Sequence, residues 1–110
     1  MISGPYRSGS DDPAVWAQNL KAMNEAAFEV FKLGHMPVIG VNAALPVIEA
    51  AGGEHYNDIM MPLSLALARR CDAVLRTGGP SKGADDEVQV FRDAQKPVFY
   101  SITEMKQVMT

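Results

Sequence analysis

A single cysteine among 110 residues, Cys71, leaves no partner for an intrachain disulfide, which excludes a disulfide-stapled secreted framework. The only two histidines, His35 and His55, stand at no metal-ligand spacing, so neither a metal nor another cofactor is expected. Cys71 lies between Arg70 and Asp72 and reads as a helix-end core residue rather than a nucleophile. An excess of positive charge is also missing. Ten scattered Lys and Arg against thirteen Asp and Glu give a net charge of -3, which argues against a nucleic-acid partner. No apolar run approaches the roughly 18 residues that cross a bilayer, and the start lacks the basic-then-apolar layout of a signal peptide. The expectation is a cytoplasmic protein with no membrane partner.

What is present is a 47% apolar chain, enough for one compact core and read as a single domain over 1–110. Ile2 and Ser3 form a very short apolar start, which leaves a true N-terminus further upstream open. Asp12-Pro13 reads as an N-cap followed by proline at the first helical position. Trp16, Leu20, Met23, Ala27 and Val30/Phe31 recur at helical spacing up to the stop at Gly34. Residues 37–41 read as a second strand, and 42–53 as a connection holding one or two helical turns. A helix begins at Tyr56 and ends at Arg69-Arg70, with a kink or break expected beside Asp58 because Pro62 cannot donate to that carbonyl. Residues 73–76 read as a third strand, 84–94 as a helix, 97–100 as a fourth strand, and Thr103 as the cap of a last short helix. This alternation predicts an α/β fold: a doubly wound, flavodoxin-like or Rossmann-like parallel sheet of four to five strands in the order 2-1-3-4. So small a sheet leaves edges and helix faces uncovered, and a homo-oligomer, dimer or tetramer, is expected. The methionines, seven in all, read as core or oligomer interface.

In that strand order, the loops after the first and third strands meet at the carboxyl-end crevice. They are residues 4–10 and 77–83, the segments densest in Gly, Ser and Pro. Glycines permit close backbone approach, while Arg7, Ser8, Ser10 and Ser81 add donors suited to a phosphate or sugar. Either loop alone reads more readily as an ordinary turn with capping serines; their convergence favours function. Glu87 follows Gly83 by four residues, in the expected first helical turn, where the dipole favours its ionised form. An ionised carboxylate there suits attack on a sugar carbon, with Asp58 as the second carboxyl. As isolated residues, both read more readily as solvated helix-start acids. His35 reads as a loop residue near a helix stop.

Several segments in this order resemble the nucleoside 2-deoxyribosyltransferase superfamily, including its deoxynucleoside 5'-monophosphate N-glycosidase branch. They are Ile2 to Gly9, Gly34-His35, Asn57-Asp58, Cys71 to Val74, Ser81 to Glu87 and Lys96 to Val98. The resemblance implies a flavodoxin-like fold, Glu87 as the nucleophile that attacks C1', and Asp58 as its assisting acid. It also implies that Gly4, Pro5, Tyr6, Arg7, Ser8, Ser81 and Gly83 bind sugar and phosphate. Ser81 stands where transferases carry a second aspartate, six residues before the nucleophile, and resembles the monophosphate N-glycosidases. Val88 stands where the family usually has glycine, and residues that a neighbouring subunit supplies from a longer C-terminus have no clear counterpart beyond Ser101.

The leading expectation is an enzyme that hydrolyses or transfers the N-glycosidic bond of a (deoxy)nucleoside or its 5'-monophosphate. Gly78 to Glu87 also echo, loosely, the Pro-Gly-Gly-x-Gly-Thr-x-x-Glu motif of phosphoribohydrolases that activate cytokinins. The alternative from another class is a nucleotide-binding or sensing module without catalysis, favoured by Val88 and the short C-terminus. A third is an interaction domain with a vestigial crevice.

Overall fold

The computed structural model describes residues 1–109. Three short parallel strands, β1 (Ile2–Ser3), β2 (Val74–Arg76) and β3 (Val98–Phe99), form a sheet in the order β1-β2-β3. Ile2 pairs with Leu75 and Ser3 with Arg76, while Val74 pairs with Val98 and Leu75 with Phe99. Five helices accompany them: α1 (Pro13–Lys32), α2 (Gly40–Ala51), α3 (Tyr56–Ala68), α4 (Lys82–Asp93) and α5 (Ile102–Met109). The class is therefore α/β, with fewer strands than the sequence predicts.

The strand expected over 37–41 is reduced to one parallel bridge, Ile2 to Ile39, supported by the Ile2 amide donating to the Val38 carbonyl at 2.8 Å. Two physical causes shorten it. Pro37 has no N–H to offer a ladder, and Ile39 already serves as the extended N-cap of α2, so Gly40 and Val41 are helical. That helix is also longer than expected, at 12 residues, and contains Pro46. Ala44 and Ile48 of α2 cluster with Met60 of α3, and burial of that shared face outweighs the bond lost at Pro46. Likewise α3 runs unbroken through Pro62, so no break separates Asp58 from the rest of its helix.

Helix α1 matches its sequence signals. Asp12 caps it by accepting from the Ala14 amide at 2.9 Å, and Pro13 holds the first position. Of its apolar stripe, Met23 and Val30 are buried against Ile2, Ile39, Leu75 and Phe99, whereas Phe31 faces outward. Helix α4 buries Ala84, Glu87, Val88 and Phe91 on one face, the i, i+3, i+4, i+7 pattern. Val88 and Phe91 pack there with Ala68 and Val74 in a second cluster. The last helix is capped by Ser101, whose hydroxyl oxygen accepts from the Glu104 amide at 3.1 Å. Thr103 lies inside it.

Among the described residues, no helix is long and apolar enough to cross a membrane.

Candidate functional site

Because β1 and β2 are paired neighbours, the loops that leave their carboxyl ends emerge side by side. The Thr77 amide donates to the Ser3 carbonyl at 2.8 Å. A methyl added at Gly4 would lie 2.7 Å from Thr77 Oγ1, and one added at Gly78 would lie 2.6 Å from Pro5 Cδ. Side chains at either glycine would push the loops apart, and Gly78 also adopts a φ of 76° that favours glycine. The shape of the second loop is held from below by Arg76. Its Nε donates to Asp85 Oδ1 at 3.1 Å, Nη2 donates to the Gly79 carbonyl at 2.9 Å, and Nη1 donates to the Thr77 carbonyl.

Under this junction lies Glu87, only 7% exposed. Ser81 starts α4 earlier than the sequence suggests, so Glu87 sits in the second turn, beyond the first turn where the helix dipole acts most strongly. The Ser3 hydroxyl donates to Glu87 Oε1 at 2.6 Å. The other oxygen, Oε2, lies against the first residue of α2: a methyl added at Gly40 would stand 2.9 Å from it and 2.4 Å from Ser64 Oγ. Burial pushes the Glu87 carboxyl from 4.5 up to about 7, against the opposing influence of the Ser3 hydrogen bond and the Arg76 charge. The helix dipole, which favours the ionised form in a first turn, acts weakly on a second-turn residue, and desolvation outweighs it.

That shift has a consequence for stability. The folded chain holds the Glu87 proton at pH values where the unfolded chain has released it, so stability is highest below about 4.5 and falls as pH rises through about 7. The loss amounts to on the order of 3 kcal/mol, from about 1.4 kcal/mol per pH unit. Urea unfolding at pH 5 and pH 8 measures it, and the Glu87→Gln protein is expected to lose this component of the slope.

Arg7, in the first loop, is fixed between two aromatic rings. Its guanidinium carbon lies 3.6 Å from the Tyr56 ring centre and 4.1 Å from that of Trp16, a favourable cation–π arrangement. Its Nε is buried without a hydrogen-bond partner, and no carboxylate forms an ion pair with it among the described residues. Burial raises the Tyr56 phenol above its ordinary value, opposed by Arg7. The loop itself is ordered by Asn19, which donates to the Tyr6 carbonyl at 2.7 Å, and by Trp16 Nε1, which donates to the Ser10 carbonyl at 2.7 Å. Ser8, exposed, and Gly9 make its left-handed turn, with φ of 31° and 83°.

In the second loop, the Ser81 hydroxyl oxygen accepts from the Ala84 amide at 3.2 Å as the α4 N-cap, and its O–H donates to no other group among the described residues. Ser81→Ala is expected to cost about 1 kcal/mol of stability through lost capping, read as a lower urea midpoint. Gly83 gives room to Met61, whose sulfur would lie 3.1 Å from an added methyl.

Asp58 is placed differently from Glu87. Its side chain is 75% exposed in the first turn of α3 and lies 3.2 Å from His55 Nδ1. The structure thus joins the two loops at Gly4 against Thr77 and Pro5 against Gly78, and seats Glu87 against Ser3, the residue before Gly4. Ser81 and Gly83 stand at the start of α4, Gly83 against Met61, Tyr6 and Arg7 follow in the first loop, and Asp58 is directed to His55 in solvent. The sequence reading misses Ser3 and Gly40. Ser3 carries no motif of its own, but Glu87 on the buried stripe of Ala84, Val88 and Phe91 calls for a polar partner on the facing strand.

Elsewhere, a cavity of about 340 Å³ opens at the amino end of the sheet, lined by Val38, Leu67, Cys71 and His35 among others. His35 is therefore at the end opposite the loops. Cys71 is half-buried and donates from Sγ to the Leu67 carbonyl at 3.3 Å. Among the described residues, no group of three or more His, Cys, Asp or Glu side chains could hold a metal ion.

No family model, curated protein or solved structure matches the chain.

Proposed function

We propose that this chain is an enzyme of the N-glycosidic bond, hydrolysing or transferring a (deoxy)nucleoside or its 5'-monophosphate, with Glu87 as the attacking carboxylate. One observation carries the proposal: a buried carboxyl, pushed up to about 7 by desolvation and without an ion-pair partner among the described residues, is held by Ser3 at the strand end from which one of two touching glycine-rich loops departs. Perturbed carboxyls of this kind cluster at functional sites. At neutral pH a substantial fraction of Glu87 is ionised. Its attack on C1' forms a glycosyl ester while the C–N bond breaks with its electron pair going to the base, which takes a proton. Water then cleaves the ester to give the hydrolysed sugar, or a second base takes the sugar.

The fixed cation of Arg7 supports recognition of a 5'-phosphate, with the Ser8 and Ser81 hydroxyls as further donors. Gly4, Pro5, Tyr6 and Gly83 form the walls around the sugar. Asp58 assists departure of the base once its side chain turns from His55. The single Ile2–Ile39 bridge supports the finer topology, a flavodoxin-like sheet in which 38–39 stands as a residual outer strand beside β1 and gives the order 2-1-3-4. Exposure of Phe28 and Phe31, 59% and 61%, supports self-association into a dimer or tetramer. The acidic charge and lone thiol fit a cytoplasmic protein.

One observation favours a nucleotide-binding module instead: Asp58 is engaged with His55 and not with Glu87. Free-base release from a panel of ribo- and deoxyribonucleosides and their 5'-monophosphates separates the two. Release from at least one class is the expected result. Thermal stabilisation by a nucleotide without any release would leave only the binding module, and neither effect would refute both.

A further inference from the structure

Ser3 ends β1 with a side chain only 1% exposed. Its hydroxyl faces two acceptors, Glu87 Oε1 at 2.6 Å and the Ala84 carbonyl at 3.2 Å. A serine hydroxyl carries one proton and two acceptor lone pairs, so it cannot donate fully to both. Which acceptor takes the proton is set by Glu87. An ionised Glu87 offers only lone pairs, and the Ser3 proton belongs on the shorter path to Oε1. A protonated Glu87 offers a donor, and the same contact reverses: the carboxyl O–H donates to Ser3 Oγ, and Ser3 donates to the Ala84 carbonyl.

We propose that Ser3 is a positioning residue that holds Glu87 in one place in both protonation states, turning its single proton between the Glu87 carboxylate and the Ala84 carbonyl. The carboxyl takes up one proton from solvent, and no bond between heavy atoms forms or breaks. The surrounding charges are few. Arg76 from β2 and the N-terminal ammonium favour the ionised form, Asp86 on α4 opposes it, and α2 and α3 present uncharged Gly40 and Ser64. A hydroxyl that serves either state removes the need for a side-chain rotation when the proton arrives or leaves. If the glycosidase proposal holds, Glu87 stays aimed at one point through the cycle; only this catalytic consequence rests on that proposal.

The test is the side-chain carboxyl titration of Glu87 by carbon-13 NMR in the full chain, in wild-type, Ser3→Ala and Ser3→Thr proteins. Ser3→Ala removes a bond from both states, but the bond to the ionised carboxylate is the stronger, and the difference raises the midpoint by about one pH unit; Ser3→Thr keeps the wild-type midpoint. A Ser3→Ala midpoint that does not move overturns the inference. The pH profile of base release follows the midpoint upward in Ser3→Ala if Glu87 also performs the chemistry. A midpoint that moves in a protein without base release supports the role of Ser3 and refutes the glycosidase proposal.

Discussion

Glu87→Gln is expected to lower free-base release by about a thousandfold or more, while leaving nucleotide binding within a few-fold of wild type. Glutamine keeps the size and the oxygen that accepts from Ser3, but it cannot carry the negative charge that attacks C1'. Loss of a group that acts directly on the reacting bond costs factors of this order. The contacts that join the loops, Ser3 to Thr77 and Pro5 against Gly78, do not use the carboxyl, so the loop junction persists. The same substitution is expected to make the protein more stable at pH 8, because it removes a buried group that must ionise there. Lost turnover in a more stable protein cannot be ascribed to unfolding. Turnover and urea midpoint, measured on one preparation at pH 8, check both halves of the prediction.

The largest effect on stability is expected from Phe91→Ala. Phe91 is 0% exposed and packs with Val88, Ala68 and Val74 where α4 meets β2 and α3. Removing a buried phenyl ring costs about 3–5 kcal/mol through lost burial and the cavity left behind. For a domain of this size, each kcal/mol lowers Tm by roughly 4–8 °C, so a fall of more than about 10 °C is expected by circular dichroism. Phe91 lies one turn beyond Glu87 on the same face of α4. A fall of only a degree or two would mean that α4 is not anchored by this contact, and the burial of Glu87 would then lose its main support.

The parts of the fold written in local chemistry are legible in the sequence. Asp12-Pro13 announces the start of α1, Gly34 its end, and the Gly-rich segments after Ser3 and Arg76 mark two loops that the structure brings into contact. The parts that depend on distant packing are not. Residues 42–53 read as a connection with one or two helical turns, yet Ala44 and Ile48 gain a partner surface on α3 that no local rule reveals. That gain also consumes the second strand, since Gly40 is the residue that lets α2 begin hard against Ser64 and Glu87. Within the candidate site, residue types are legible and their pairing is not. Asp58 and Glu87 both read as helix-start acids. One lies in solvent against His55, and the other faces the interior against Ser3. The discriminating signal is present in the periodicity: Ala84, Val88 and Phe91 define an inward stripe, and Glu87 falls on it. A charged residue at a core position requires either a partner or a function.

The most direct test of Glu87 as the attacking carboxylate is mass spectrometry of protein quenched in acid during turnover of a 5'-monophosphate, with the adduct assigned to a peptide. If Glu87 attacks C1', one sugar phosphate per chain is found on the peptide that contains Glu87, and none on Glu87→Gln protein. Base release accompanied by a sugar on another residue, or undiminished in Glu87→Gln, would contradict it.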